Sequence, residues 1–297
     1  MNPIVDKQKI AVMHVPKTAG HSITEALVNA LAPKRRSGGY DLSLFGEFNN
    51  FDSFDNSIKD IIYSNPEEMP READLVIGHI AKSSLDAAYP SHRTITIIRE
   101  PKSRLVSNWL FWRSNSEEQL APWGAWGDYV KIARRPFLHF LTEPKVASHT
   151  DNLLLRMLLW PHPKIPGNAF LPPENDAELL AAARSALNSF DFVGMVEDPS
   201  LHTRLGQFLG VEIEMSRANE TIIMDSDITP LLAEELSDSA LYMLYERSRL
   251  DAVLWGDVIG SFAGNYSSKV VTERIFLNTL LRYISKGVVS PGGFSGR

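Results

Sequence analysis

One short segment concentrates the groups that bind anions: Val15-Pro16-Lys17-Thr18-Ala19-Gly20-His21-Ser22. It follows an apolar, β-prone run from Lys9 to Val15. It precedes a stretch from Ser22 to Leu31 in which Ile23, Ala26, Leu27 and Ala30 recur at helical spacing. A loop that turns from a buried parallel strand into a helix aims several backbone N–H groups at one point, and the helix dipole reinforces them. Lys17 adds a full positive charge, Thr18 and Ser22 add hydroxyls, and Gly20 permits close backbone approach. The same residues also read as a plain βα turn with a solvent-facing lysine. The nucleotide-triphosphatase pattern GxxxxGK[ST] is excluded, because there the lysine follows the glycine. No apolar strand ends in an Asp suited to magnesium either: the second ends in Gly78-His79 and the third in Arg99.

Arg99 closes the apolar run Thr94 to Ile98 and presents a planar fork suited to a phosphate dianion. Pro101 suits the first turn of a following helix. Ser107 then lies nearly two turns in, with Arg104 one turn before it on the same face. Arg104 reads equally as a phosphate contact and as part of a structural ion pair. His79 ends the run Asp74 to Ile80, and an imidazole with a pKa near 6.5 can serve as a general base. The competing reading is a buried histidine satisfied by hydrogen bonds. His14, inside the first strand, reads as core. Trp109, Phe111, Trp112, Trp123 and Trp126 read mostly as core, with one or two available to stack on a sugar or on adenine.

These residues need a sheet edge to bring them together. Apolar strands alternating with helices predict a parallel sheet covered on both faces. The strand ending in His79 should lie beside the strand ending in His14, so that both finish on the edge where α/β sheets bind ligands. Phe190 to Met195 reads as a fourth core strand, and Lys34 to Phe54 as a long loop. Helices are expected over Asp151–Trp160, Ala177–Leu187, Leu201–Leu209, Asp238–Leu254 and Val271–Tyr283. Residues 1–289 read as one α/β domain, and 290–297 as a disordered tail.

Composition limits the partners. The chain has 297 residues, a net charge of −6 and no cysteine. Disulfides, thiolate metal sites and cysteine nucleophiles are excluded. A mildly acidic chain is not built to coat nucleic acid or an anionic membrane. No apolar run is long enough to span a bilayer, and a cytoplasmic location is expected. No HxH or HExxH spacing occurs, so no metal is expected.

The segment His14-Val15-Pro16-Lys17-Thr18-Ala19-Gly20-His21-Ser22 closely resembles the 5′-phosphosulfate loop of sulfotransferases that use 3′-phosphoadenosine 5′-phosphosulfate (PAPS). The flavour is that of the carbohydrate branch, which includes heparan sulfate 2-O- and 6-O-sulfotransferases and bacterial relatives. Arg99-Glu100-Pro101 through Ser107 resembles the family's 3′-phosphate motif, and Gly78-His79 resembles the 2-O-sulfotransferase motif whose histidine is the base. Glu100 stands where Asp is commoner, and His21 where Thr or Ser is usual. The resemblance implies a three-layer, P-loop-like α/β sandwich with a parallel sheet of four to five strands and a mostly helical remainder. It implies PAPS as co-substrate, held by Pro16, Lys17, Thr18, Ala19, Gly20, His21 and Ser22 at one end. Arg99, Ser107 and Arg104 would hold the other end. Lys17 and His79 would be catalytic, and the acceptor a hydroxyl on a carbohydrate. Lys34-Arg35-Arg36 and Arg134-Arg135 are solvated surface, or receive an acidic acceptor. Two rivals stay open: a kinase-like phosphotransferase needing ATP and magnesium, and an inactive nucleotide-binding or scaffold protein.

Overall fold

A computed structural model describes residues 9–214, 232–260 and 268–285. The tail read as disordered, 290–297, lies outside the described residues. Among the described residues seven strands form: β1 (Ile10–His14), β2 (Arg36–Ser37), β3 (Tyr40–Asp41), β4 (Ile62–Tyr63), β5 (Leu75–Gly78), β6 (Arg93–Ile98) and β7 (Phe192–Met195). Five of them make one sheet in the order β2-β5-β1-β6-β7, parallel throughout, and β3 pairs with β4 in a two-stranded ribbon. The expected neighbour relation holds: Ile10 faces Leu75 and Met13 faces Gly78 across β1 and β5. Because β6 flanks β1 on the other side, the ends carrying His14, His79 and Arg99 share one edge.

Alternation along β1 assigns the two faces. Ala11 and Met13 join one buried cluster with Val76, Leu85 and Leu155; Ile10 and Val12 join another with Ile23, Leu27, Ile95 and Leu205. A strand buried on both faces must be apolar at every position, which is why it reads as a continuous run. Helices α1 (Gly20–Leu31) and α6 (Leu201–Leu209) cover the second face. The first is covered by α2 (Lys82–Ala88), α4 (Leu153–Leu159), α5 (Asp176–Asn188) and part of α7 (Asp238–Gly260). Helix α3 (Pro101–Arg113) leaves the sheet after β6 and is buried along almost its whole length. One side of it is packed by an aromatic cluster containing Trp109, Trp112, Trp126, Phe137 and Phe140. Lys102, 3% exposed, is enclosed by α7 and α8 (Ser268–Ser285), donating to Glu273 at 2.7 Å with its ammonium 4.2 Å from the Tyr245 ring.

The segment expected to be a loop from 34 to 54 contributes two strands and two short 3-10 turns. Strands of two residues carry no period to detect. Here they form by pairing with distant segments, β2 on β5 and β3 with the equally short β4. A single parallel bridge between Tyr40 and His79 ties the ribbon to the sheet edge.

Candidate active site

The loop between β1 and α1 is built on two left-handed residues other than glycine, Lys17 at φ 70° and Ala19 at φ 62°. Such conformations cost energy in non-glycine residues and concentrate at functional sites. Thr18 is buried and its hydroxyl donates to the Val15 carbonyl at 2.8 Å, so it holds the loop's curve from within. Ala19 is the N-cap of α1, and no side chain caps the helix there. A helix start without such a cap suits an anion, which its first N–H groups, those of Gly20 and His21, can meet. Ser22 is buried at this turn. His21 is exposed and turns along the helix, with Nε2 3.2 Å from the Glu25 carboxylate.

Gly20 is required for a reason the sequence does not reveal. A Cβ at this position would lie 1.9 Å from Cε1 of His14. The His14 imidazole lies against the start of α1 and stacks on His79 with ring centroids 4.5 Å apart. His79 in turn bonds through Nδ1 to the His14 carbonyl at 2.7 Å. A carbonyl only accepts, so Nδ1 carries the proton and Nε2 of a neutral His79 carries the lone pair. Burial pushes the His79 pKa down to about 4; the His14 carbonyl opposes this and the Lys17 charge adds to it. His14 is held well below its ordinary value, first by burial and then by the charges of His79 and Lys17. Both rings are therefore neutral near pH 7.

Lys17 is half-buried, and its pKa is lowered to about 8 by burial and then by Arg99. The Arg99 side chain reaches back to the loop, its Nη1 donating to the Lys17 carbonyl at 3.1 Å. The two motifs separated by 82 residues are thereby joined. Ser107, 6% exposed, sits two turns along α3. The start of α3 is not open to an anion as the start of α1 is: the Glu100 carboxylate accepts from the N–H of Lys102 at 3.2 Å and of Ser103 at 2.7 Å. Glu100 N–H in turn donates to Glu197, beyond the end of β7, at 2.9 Å. Arg104 is 3% exposed and donates to the His149 carbonyl at 3.1 Å. Its pKa falls to about 10 through burial, which Asp251 opposes. It faces inward, toward the His149 backbone.

The aromatics divide cleanly. Trp109, Trp112 and Trp126 are core, whereas Phe111 is 41% exposed and Trp123 half-exposed. Trp123 meets Tyr40 edge-on at 5.4 Å, and Tyr40 lies 5.2 Å from His79. These rings wall one side of the histidine. Tyr40 went unnoticed in the sequence because its partner is reached only through the bridge to His79. His149, 7% exposed with its ring tilted against that of Trp112 at 4.6 Å, is a further buried histidine with its pKa driven to about 3 by burial and then by Arg104. Among the described residues no group of three or more His, Asp or Glu is set to hold a metal ion. No described helix is long and apolar enough to cross a membrane.

A parallel sheet whose carboxyl edge gathers an uncapped helix start, a lysine, an arginine and a neutral histidine defines an α/β protein built to handle an anionic group. The sequence profile of the sulfotransferase family matches residues 3–158, which include all of these groups, and the chain belongs to that family. A search of curated proteins finds no match.

Proposed function

We propose that this sulfotransferase moves the sulfuryl group of PAPS to a carbohydrate hydroxyl, with His79 as general base. The observation that carries the reading is the bond from His79 Nδ1 to the His14 carbonyl, which leaves Nε2 as a proton acceptor at the sheet edge where the loop begins.

The acceptor hydroxyl gives its proton to Nε2 as its oxygen attacks sulfur. Negative charge then grows on the oxygen leaving toward the 5′-phosphate, as in phosphoryl transfer. Lys17 and the N–H groups of Gly20 and His21 at the start of α1 meet that charge. Pro16, Thr18, Ala19 and Gly20 set the loop's path, with Ser22 and His21 at its rim. Arg99 and Ser107 take the 3′-phosphate, and Arg104 supports that helix from within. Tyr40 and Trp123 offer apolar ring faces to an acceptor beside His79, which suits a sugar. The kinase-like rival needs a carboxylate to hold magnesium at the donor end, and there Glu100 is committed to capping α3.

The test is a turnover assay with PAPS and a panel of glycans and small alcohols, run beside ATP and magnesium. Sulfated product with PAPS alone supports the reading. Phosphorylated product with ATP would replace it.

A further inference from the structure

The Lys17 ammonium rests on a ring. Its Nζ lies 3.9 Å from the centroid of Phe111, an aromatic side chain left 41% exposed near the end of an otherwise buried helix. Phe111 stands four residues after Ser107, on the same face of α3. Its backbone is fixed: the Phe111 carbonyl accepts from Ser114 Oγ at 2.8 Å and from Asn115 Nδ2 at 2.8 Å. The Lys17 backbone is fixed as well, by Arg99 and by its own left-handed turn. No carboxylate pairs with Lys17 among the described residues.

We propose that Phe111 is a positioning residue for Lys17: its ring face aims the ammonium at the leaving oxygen while keeping the charge available. This rests on the sulfuryl-transfer reading. A π face attracts a cation through its quadrupole. A carboxylate in the same place would hold the lysine too, but would repel the phosphosulfate and neutralise the charge that the transition state needs. An aliphatic side chain would leave a long, flexible stem free to turn toward solvent. The half-exposure of Phe111 follows from this role, because the face that carries Lys17 must open onto the donor.

The test compares Phe111→Leu with Phe111→Tyr. Leu keeps apolar bulk and removes the π face; Tyr keeps the face. With PAPS and an acceptor, Phe111→Leu should lose about tenfold in kcat while its Kd for adenosine 3′,5′-bisphosphate stays within threefold. Phe111→Tyr should recover the wild-type kcat. A second readout needs no turnover: with the lysines labelled at Cε and Lys17 assigned through Lys17→Arg, the Lys17 methylene should be shifted upfield by the ring. That shift should vanish in Phe111→Leu and persist in Phe111→Tyr. An ordinary Lys17 resonance in the wild type overturns the placement. Equal kcat in the Leu and Tyr variants, or bisphosphate affinity falling in step with kcat, overturns the role. Failure of the wild type to transfer sulfuryl would instead sink the functional reading, and the resonance would still decide the placement.

Discussion

His79 holds its proton on Nδ1, 2.7 Å from the carbonyl of His14, while the two imidazoles stack at 4.5 Å. The backbone bond fixes the tautomer and the stacking fixes the plane of the ring. A base prepared in this way should matter to chemistry more than to donor binding. His79→Ala should lower kcat by about 10²–10⁴ with bisphosphate affinity within a few-fold of wild type. Parallel loss of melting temperature and bisphosphate affinity would mark His79 as structural.

The pH dependence of kcat/KM reports the free protein. His79 works only unprotonated, so activity should fall as pH drops through its pKa of about 4. Lys17 works only protonated, so activity should fall as pH rises through about 8. A plateau across pH 5–7 is expected from these two values. An acid limb between 6 and 7, the ordinary place for a histidine, would mean that His79 is better solvated or is not the base.

Lys17→Ala should lower kcat by about 10²–10³, the cost of one donor to a developing oxyanion. Its melting temperature should change little, since the loop's shape is carried by the Thr18–Val15 bond and the Arg99 contact. Near-normal turnover in this variant would remove Lys17 from the chemistry.

Gly20→Ala tests the packing beneath the site. The added methyl would meet the His14 ring at 1.9 Å and push it against His79. Overpacking of this kind costs about 1–3 kcal/mol. The measurable result should be a lower melting temperature together with at least a tenfold loss of kcat. A fully active, fully stable variant would mean that His14 does not occupy that place.

Much of this was legible in the sequence for physical reasons. β1, β5, β6 and β7 are buried on both faces, so their apolar runs stand out, and the neighbour relation between His14 and His79 followed from their alternation with helices. Helix Leu201–Leu209 has the bounds expected of it, and at its C-terminal end Gly210 adopts the left-handed conformation that stops a helix. The ribbon strands Tyr40–Asp41 and Ile62–Tyr63 were not legible, since two residues have no period and their pairing is set by distant partners. The Nε2 of His14 is buried, as its strand position implies, but a strand position does not show that its ring stacks on His79 and lies against Gly20. The helix start at Pro101 is capped by Glu100, a role that an acidic residue just before proline can signal but that does not stand out beside the Arg99 and Ser107 spacing. Among five neighbouring aromatics, nothing in the sequence separates Phe111, which carries Lys17, from the tryptophans that fill the core.

The most direct test is the melting temperature in the presence of adenosine 3′,5′-bisphosphate, compared with ATP and magnesium, for wild type and Arg99→Ala. A ligand that binds only the folded state raises stability by RT ln(1 + [L]/Kd), about 2.7 kcal/mol at a hundredfold excess over Kd. Use of PAPS as donor predicts a clear rise with the bisphosphate and none with ATP and magnesium. It also predicts that Arg99→Ala loses most of that rise, in line with the roughly 2–5 kcal/mol for a buried charged contact left unpaired. Stabilisation by ATP and magnesium without stabilisation by the bisphosphate would contradict it.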